Sequence, residues 1–77
     1  AASASQVAEV VAEVDAKRIA YVAELLRGAN IPADVAQSRA HLMYRALIGE
    51  YTWRRHGGEP LSKEALRDMV RLLLVSP

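Results

Sequence analysis

The chain has 77 residues, 52% of them hydrophobic and 25% charged, and carries a net charge of +1. That balance excludes a disordered tail and provides no strongly basic stripe for nucleic acid, and the absence of cysteine excludes both a disulfide framework and a thiolate metal site. The longest apolar run, Ile19 to Ala23, is too short to span a bilayer as a helix, and a domain of this size draws only about 3–5 kcal/mol from one core, so very good helix packing or association with another chain is expected.

Ala1 to Gln6 has neither the charged start nor the apolar run of a secretory signal, and the chain reads as a processed or excised segment. Ser3 and Gln6 stand at capping-box spacing, which predicts a helix from about residue 5 to residue 28. Along it Val7, Val10, Val11, Val14, Tyr21, Val22 and Leu25 share one face, while Glu9, Glu13, Lys17, Glu24 and Arg27 project away from its centre. Glu13 and Lys17 form a favourable i,i+4 pair. Gly28 and Asn30 supply left-handed residues that end helices, and Pro32 forbids continuation.

The second helix is expected over residues 32–56, with Pro32 suited to its first turn and Asp34 near the positive end of its dipole. It stops at Gly57-Gly58 after roughly 37 Å. Ser62 caps a third helix over 62–75, with Leu61 placed to staple onto Leu66 and an apolar face of Leu66, Met69, Val70, Leu73 and Leu74. No segment alternates with period two, so the expected fold is all-α.

The second helix has two apolar faces. Ala36, Ala40, Met43, Tyr44, Leu47 and Tyr51 form the broader one, and Val35, Leu42, Ala46, Gly49 and Trp53 lie almost opposite. Two neighbouring helices cover one face well and the other only in part, which leaves an apolar strip for another partner. Gly49 costs that helix about 1 kcal/mol relative to alanine. Two accounts of it stay open: close approach of a second chain's helix, or room for a bulky side chain of the same chain.

Arg18 interrupts the apolar face of the first helix between Val14 and Tyr21. Either it meets an acidic group across a pocket, or its stem covers apolar surface while the guanidinium reaches water. No catalytic constellation emerges. His41 and His56 are about 22 Å apart along one helix, Ser62 is accounted for as a cap, and no glycine-rich loop precedes a helix as a phosphate cradle requires. The expected chain is therefore not an enzyme and holds neither metal nor cofactor.

The succession Val14-Asp15-Ala16-Lys17-Arg18-Ile19-Ala20-Tyr21, Leu25-Leu26-Arg27, Ile31-Pro32, and Ser38-Arg39-Ala40 through Tyr44-Arg45-Ala46-Leu47-Ile48-Gly49-Glu50-Tyr51 resembles the C-terminal end of TetR-family (tetracycline-repressor-like) transcriptional regulators. Arg54-Arg55-His56-Gly57-Gly58, Pro60-Leu61 and Ala65 to Val70 continue the likeness over nearly the whole chain. The resemblance implies a cytoplasmic bacterial repressor that binds operator DNA through an N-terminal helix-turn-helix lying outside these residues, so the chain is expected to be a C-terminal regulatory fragment. It also implies a small apolar effector, for which Tyr21, Met43, Tyr44 and Leu47 are the expected wall and Arg18 the polar anchor. Finally it implies a homodimer in which helices two and three meet their copies in a four-helix bundle. The expected interface is Val35, Leu42, Ala46, Gly49 and Trp53, joined by Leu66, Val70, Leu73 and Leu74. A free-standing helical interaction module using the Gly49 strip, and a small ligand-binding bundle acting alone, are the other classes the sequence admits.

Overall fold

Ser3 and Gln6 open the first helix by satisfying two of the backbone donors near its start, each by the other's side chain. Its Oγ accepts from the Gln6 amide at 3.2 Å, and its own amide donates to Gln6 Oε1 at 2.8 Å, which is the reciprocal capping box. The computed structural model describes residues 3–77. They form three helices, α1 Ala4–Gly28, α2 Ala33–Arg55 and α3 Lys63–Leu74, with no strand among the described residues. Each boundary falls within one residue of its expected place.

The two long helices end alike. After α1, the Asn30 amide donates to Arg27 O and the Ile31 amide to Leu26 O, with Asn30 left-handed at φ 70°. This is a Schellman motif, and Ile31 and Leu26 are buried together at its closure. Gly28, expected to share the left-handed role, is instead the last helical residue and has no positive φ. After α2, Gly57 takes φ 85°, its amide donates to Arg54 O, and the Gly58 amide donates to Trp53 O. The Trp53 ring lies against Gly58, where a Cβ would overlap the indole Nε1. Glycine is thus favoured at both positions, at Gly57 for its dihedral and at Gly58 for its missing side chain.

The core sits at the α1–α2 turn, where Ala23 and Leu26 meet Ile31, Ala36 and Ala40, with Ile19, Val22 and Val35 packed around them. Ala36 and Ala40 are fully buried because their small side chains let the two helices approach. Tyr44 closes this core, and its hydroxyl donates to Asp15 Oδ1 at 2.5 Å. Past that bond nothing is buried: residues 3–14 of α1 are all exposed, and from 45 to 55 only Glu50 is half-buried. The buried side of α1 therefore lies roughly a quarter turn from the valine face picked out by the sequence pattern.

α3 starts at Ser62, whose Oγ accepts from the Ala65 amide at 3.1 Å, and contributes no buried residue. Polar ties hold its two ends. Glu50 accepts the Leu61 amide at 2.9 Å, and the Arg39 guanidinium donates to Leu73 O at 2.9 Å and to Val75 O. A charged donor on the last carbonyls also suits the negative end of the α3 dipole.

The resulting shape is extended, 46 × 32 × 13 Å with a radius of gyration of 14.7 Å, where a compact chain of this length has about 11.5 Å. Its accessible surface is 6074 Å², against about 4,600 Å² for a compact monomer of the same mass. No helix is long and apolar enough to cross a membrane among the described residues.

Candidate functional site

A groove of about 660 Å³ runs between the arms of α1 and α2, within the size range of small-molecule sites. Lys17, Arg18, Tyr21 and Val22 line it from α1; Tyr44, Leu47, Ile48 and Tyr51 line it from α2. The α2 set follows i, i+3, i+4, i+7, so one helical stripe supplies that wall. Four of the five residues expected around an effector, Arg18, Tyr21, Tyr44 and Leu47, therefore come together. Met43 does not join them. It lines a smaller cavity of about 160 Å³ with Val22, Leu25 and Leu26 on one side and Val70, Leu73 and Leu74 of α3 on the other, because its position on α2 points toward the third helix.

The groove is apolar, with charge at its margin. Arg18 is exposed and makes no ion pair among the described residues, so its stem covers apolar surface while its head stays in water. Lys17 lies 3.7 Å from Glu13, as the i,i+4 spacing predicts. The Arg55 guanidinium sits 5.8 Å from the centre of the Tyr51 ring, a cation–π contact at the outer end. Ile48 and Tyr51 lie outside the expected wall yet complete it, each on the stripe begun by Tyr44.

The expected interface set divides into three environments. Leu42 and Trp53 remain 64% and 63% exposed, and with exposed Ala46 and Gly49 they form an open strip along α2. Nothing lies within 4 Å of where a Gly49 Cβ would be, so no bulky side chain of the same chain occupies that space. Val35, by contrast, packs half-buried against the hairpin core, because it sits one turn before the alanines that draw α1 close. Leu73 and Leu74 turn toward the Met43 cavity; Val70 lines both that cavity and a shallow depression with Leu66.

Among the described residues no group of three or more His, Cys, Asp or Glu side chains is placed to hold a metal ion. Arg39, within the run Ser38-Arg39-Ala40, supplies the bonds that tie α3 to α2. Compared with family models, curated proteins and solved structures, the chain finds no match.

Proposed function

We propose that the chain is the dimerisation and effector-sensing part of a TetR-like bacterial transcriptional repressor, without enzymatic activity of its own. DNA reading is assigned to a helix-turn-helix outside these 77 residues. One observation supports the association half of this reading: the chain exposes about 1,500 Å² more than a compact monomer of its mass, and large apolar side chains such as Val10, Leu42, Trp53 and Leu72 are among those left exposed. The groove supports the sensing half, since its aromatic and aliphatic walls with one cation at the margin suit a small apolar effector carrying a polar or anionic group.

In the dimer, the strip Leu42, Ala46, Gly49 and Trp53 meets its own copy across a two-fold axis, with α3 alongside. A two-fold contact uses the same patch on both chains, so one small-residue strip serves both sides. Sedimentation equilibrium of the wild type and of Gly49→Leu tests this, with circular dichroism as the control for helicity. Space around Gly49 is open within the chain, so leucine should raise helix stability by about 1 kcal/mol while weakening association at least about tenfold. An association constant unaffected by the leucine would remove this interface. For sensing, Arg18→Ala and Tyr21→Ala in the full-length regulator should each reduce effector affinity; unchanged affinity in folded variants would remove the groove assignment.

A further inference from the structure

We infer that α1 is itself an interface helix, pairing antiparallel with α1 of a second copy along a heptad seam. Val7, Val11, Val14, Arg18, Tyr21 and Leu25 follow the alternating spacing of four, three, four, three, four. That is the 3.5-residue repeat of a coiled-coil seam, in which Val11, Arg18 and Leu25 take one core position and Val7, Val14 and Tyr21 the other. All six are exposed, the five apolar ones by 39 to 66%. The seam lies about a quarter turn from the side that packs on α2, so both contacts can exist at once. A 3.5-residue repeat serves a helix crossing at about 20°, and among the described residues the seam is left exposed.

Charge identifies the occupant and its direction. In a parallel pair each Arg18 would face the other Arg18 inside the seam, which repels. In an antiparallel pair the core residues meet in layers, and one register places Arg18 against Tyr21 of the second copy and Val14 against Leu25, so four of the six seam residues pair while Val11 faces Gly28 and Val7 lies past the end of the second copy's helix. The flanking residues are then Lys17 and Glu24 of the second copy, repeated on both sides of the two-fold. Shifting by one heptad in one direction sets Lys17 against Lys17, and in the other Glu24 against Glu24. Only the intermediate register pairs opposite charges and stacks a cation on an aromatic ring. A helix complementary to α1 in this way is α1 itself, which is why a second copy is the partner. The second helix would also wall the groove beside Arg18 and Tyr21.

The excess surface of about 1,500 Å² exceeds the roughly 800 Å² per partner of one interface of ordinary size, and the α1 seam and the Gly49 strip lie on different helices. Their tests are separable. Lys17→Glu sets two carboxylates against each other at both ends, and Glu24→Lys sets two ammonium groups; each should weaken the α1 pairing about tenfold or more. The double variant Lys17→Glu/Glu24→Lys restores the pairing and should return association to near the wild-type value. Lys17→Glu/Glu9→Lys restores only the net charge, because Glu9 lies on the opposite side of α1, and should stay dissociated. Sedimentation equilibrium on the 77-residue chain reads all five proteins, with Gly49→Leu carried as a background in which the α1 pairing is the remaining contact. The inference is overturned if the Gly49→Leu protein is monomeric at tens of micromolar, a range that captures weak specific association. It is equally overturned if neither single charge reversal lowers association, or if the Glu9 control rescues as well as Glu24. Loss of association by Gly49→Leu alone, with the charge series silent, would leave the α2 interface and remove this one. All four altered positions are exposed, and circular dichroism verifies that each variant folds; should one reversal unfold the chain, the other by itself applies the same criterion.

Discussion

Removing the Arg39 guanidinium should free α3 while leaving the α1–α2 hairpin folded. Arg39 donates to the carbonyls of Leu73 and Val75 at the end of α3, and α3 has no buried residue to hold it otherwise. Hydrogen bonds from a charged donor contribute about 1.5–3 kcal/mol each when shielded. The bond to Val75 is exposed and the one to Leu73 half-buried, so about 2 kcal/mol for the two together is the reasonable scale. That is about a thirtyfold change in the docking equilibrium. A helix of 12 residues is marginal in water once undocked, so release and melting should coincide. α3 supplies about a fifth of the helical residues, 12 beside the 25 of α1 and 23 of α2. Arg39→Ala should therefore lower the helical ellipticity by up to about a fifth and remove hydrogen-exchange protection from α3 amides, while the amides around Leu26 and Ala40 keep theirs. Arg39→Lys, which keeps the charge but not the planar fork, should fall between. Full protection of α3 in Arg39→Ala would refute the reasoning and show that the half-buried Leu66, Met69 and Leu73 suffice to hold it.

Three smaller perturbations test other parts of the fold. Tyr44→Phe deletes the bond to half-buried Asp15 and should cost about 1–2 kcal/mol, read as a fall in melting temperature of several degrees; an unchanged midpoint would show that this bond does not help close the core. Gly58→Ala places a methyl group inside the Trp53 ring, so the indole must swing away, and a shift in tryptophan emission should accompany a modest loss of stability. Gly57→Ala meets open space but a φ of 85°, so its cost of about 1 kcal/mol should appear without a change in Trp53 emission.

Much of the secondary structure was legible in the residues because its signals are local. Ser3 and Gln6, Ser62, Asn30 and Gly57 act within five residues of their own positions, and each stands where a helix begins or ends. The two-faced character of α2 was equally readable from spacing, and the structure buries Ala36, Ala40 and Tyr44 from one face while Leu42, Gly49 and Trp53 stay open on the other. Four of the five residues assigned to the groove also meet there, since a stripe on one helix and its neighbour on an antiparallel partner follow from helical period and a short turn.

Tertiary structure decided what periodicity leaves degenerate. An apolar face states that something should cover it, and spacing alone does not say which neighbour arrives. Hence Val7, Val10, Val11 and Val14 of α1 lie uncovered, while the less conspicuous Ile19, Ala23 and Leu26 meet α2. Met43 turns to α3 rather than the groove, and Val35 joins the core rather than the open strip, because the alanines of α2 set how closely and at what rotation α1 packs. Arg39 had no local signal, since its partners are carbonyls 34 and 36 residues away. Backbone acceptors carry no side-chain identity, so a contact of that kind is visible only when the chain is folded.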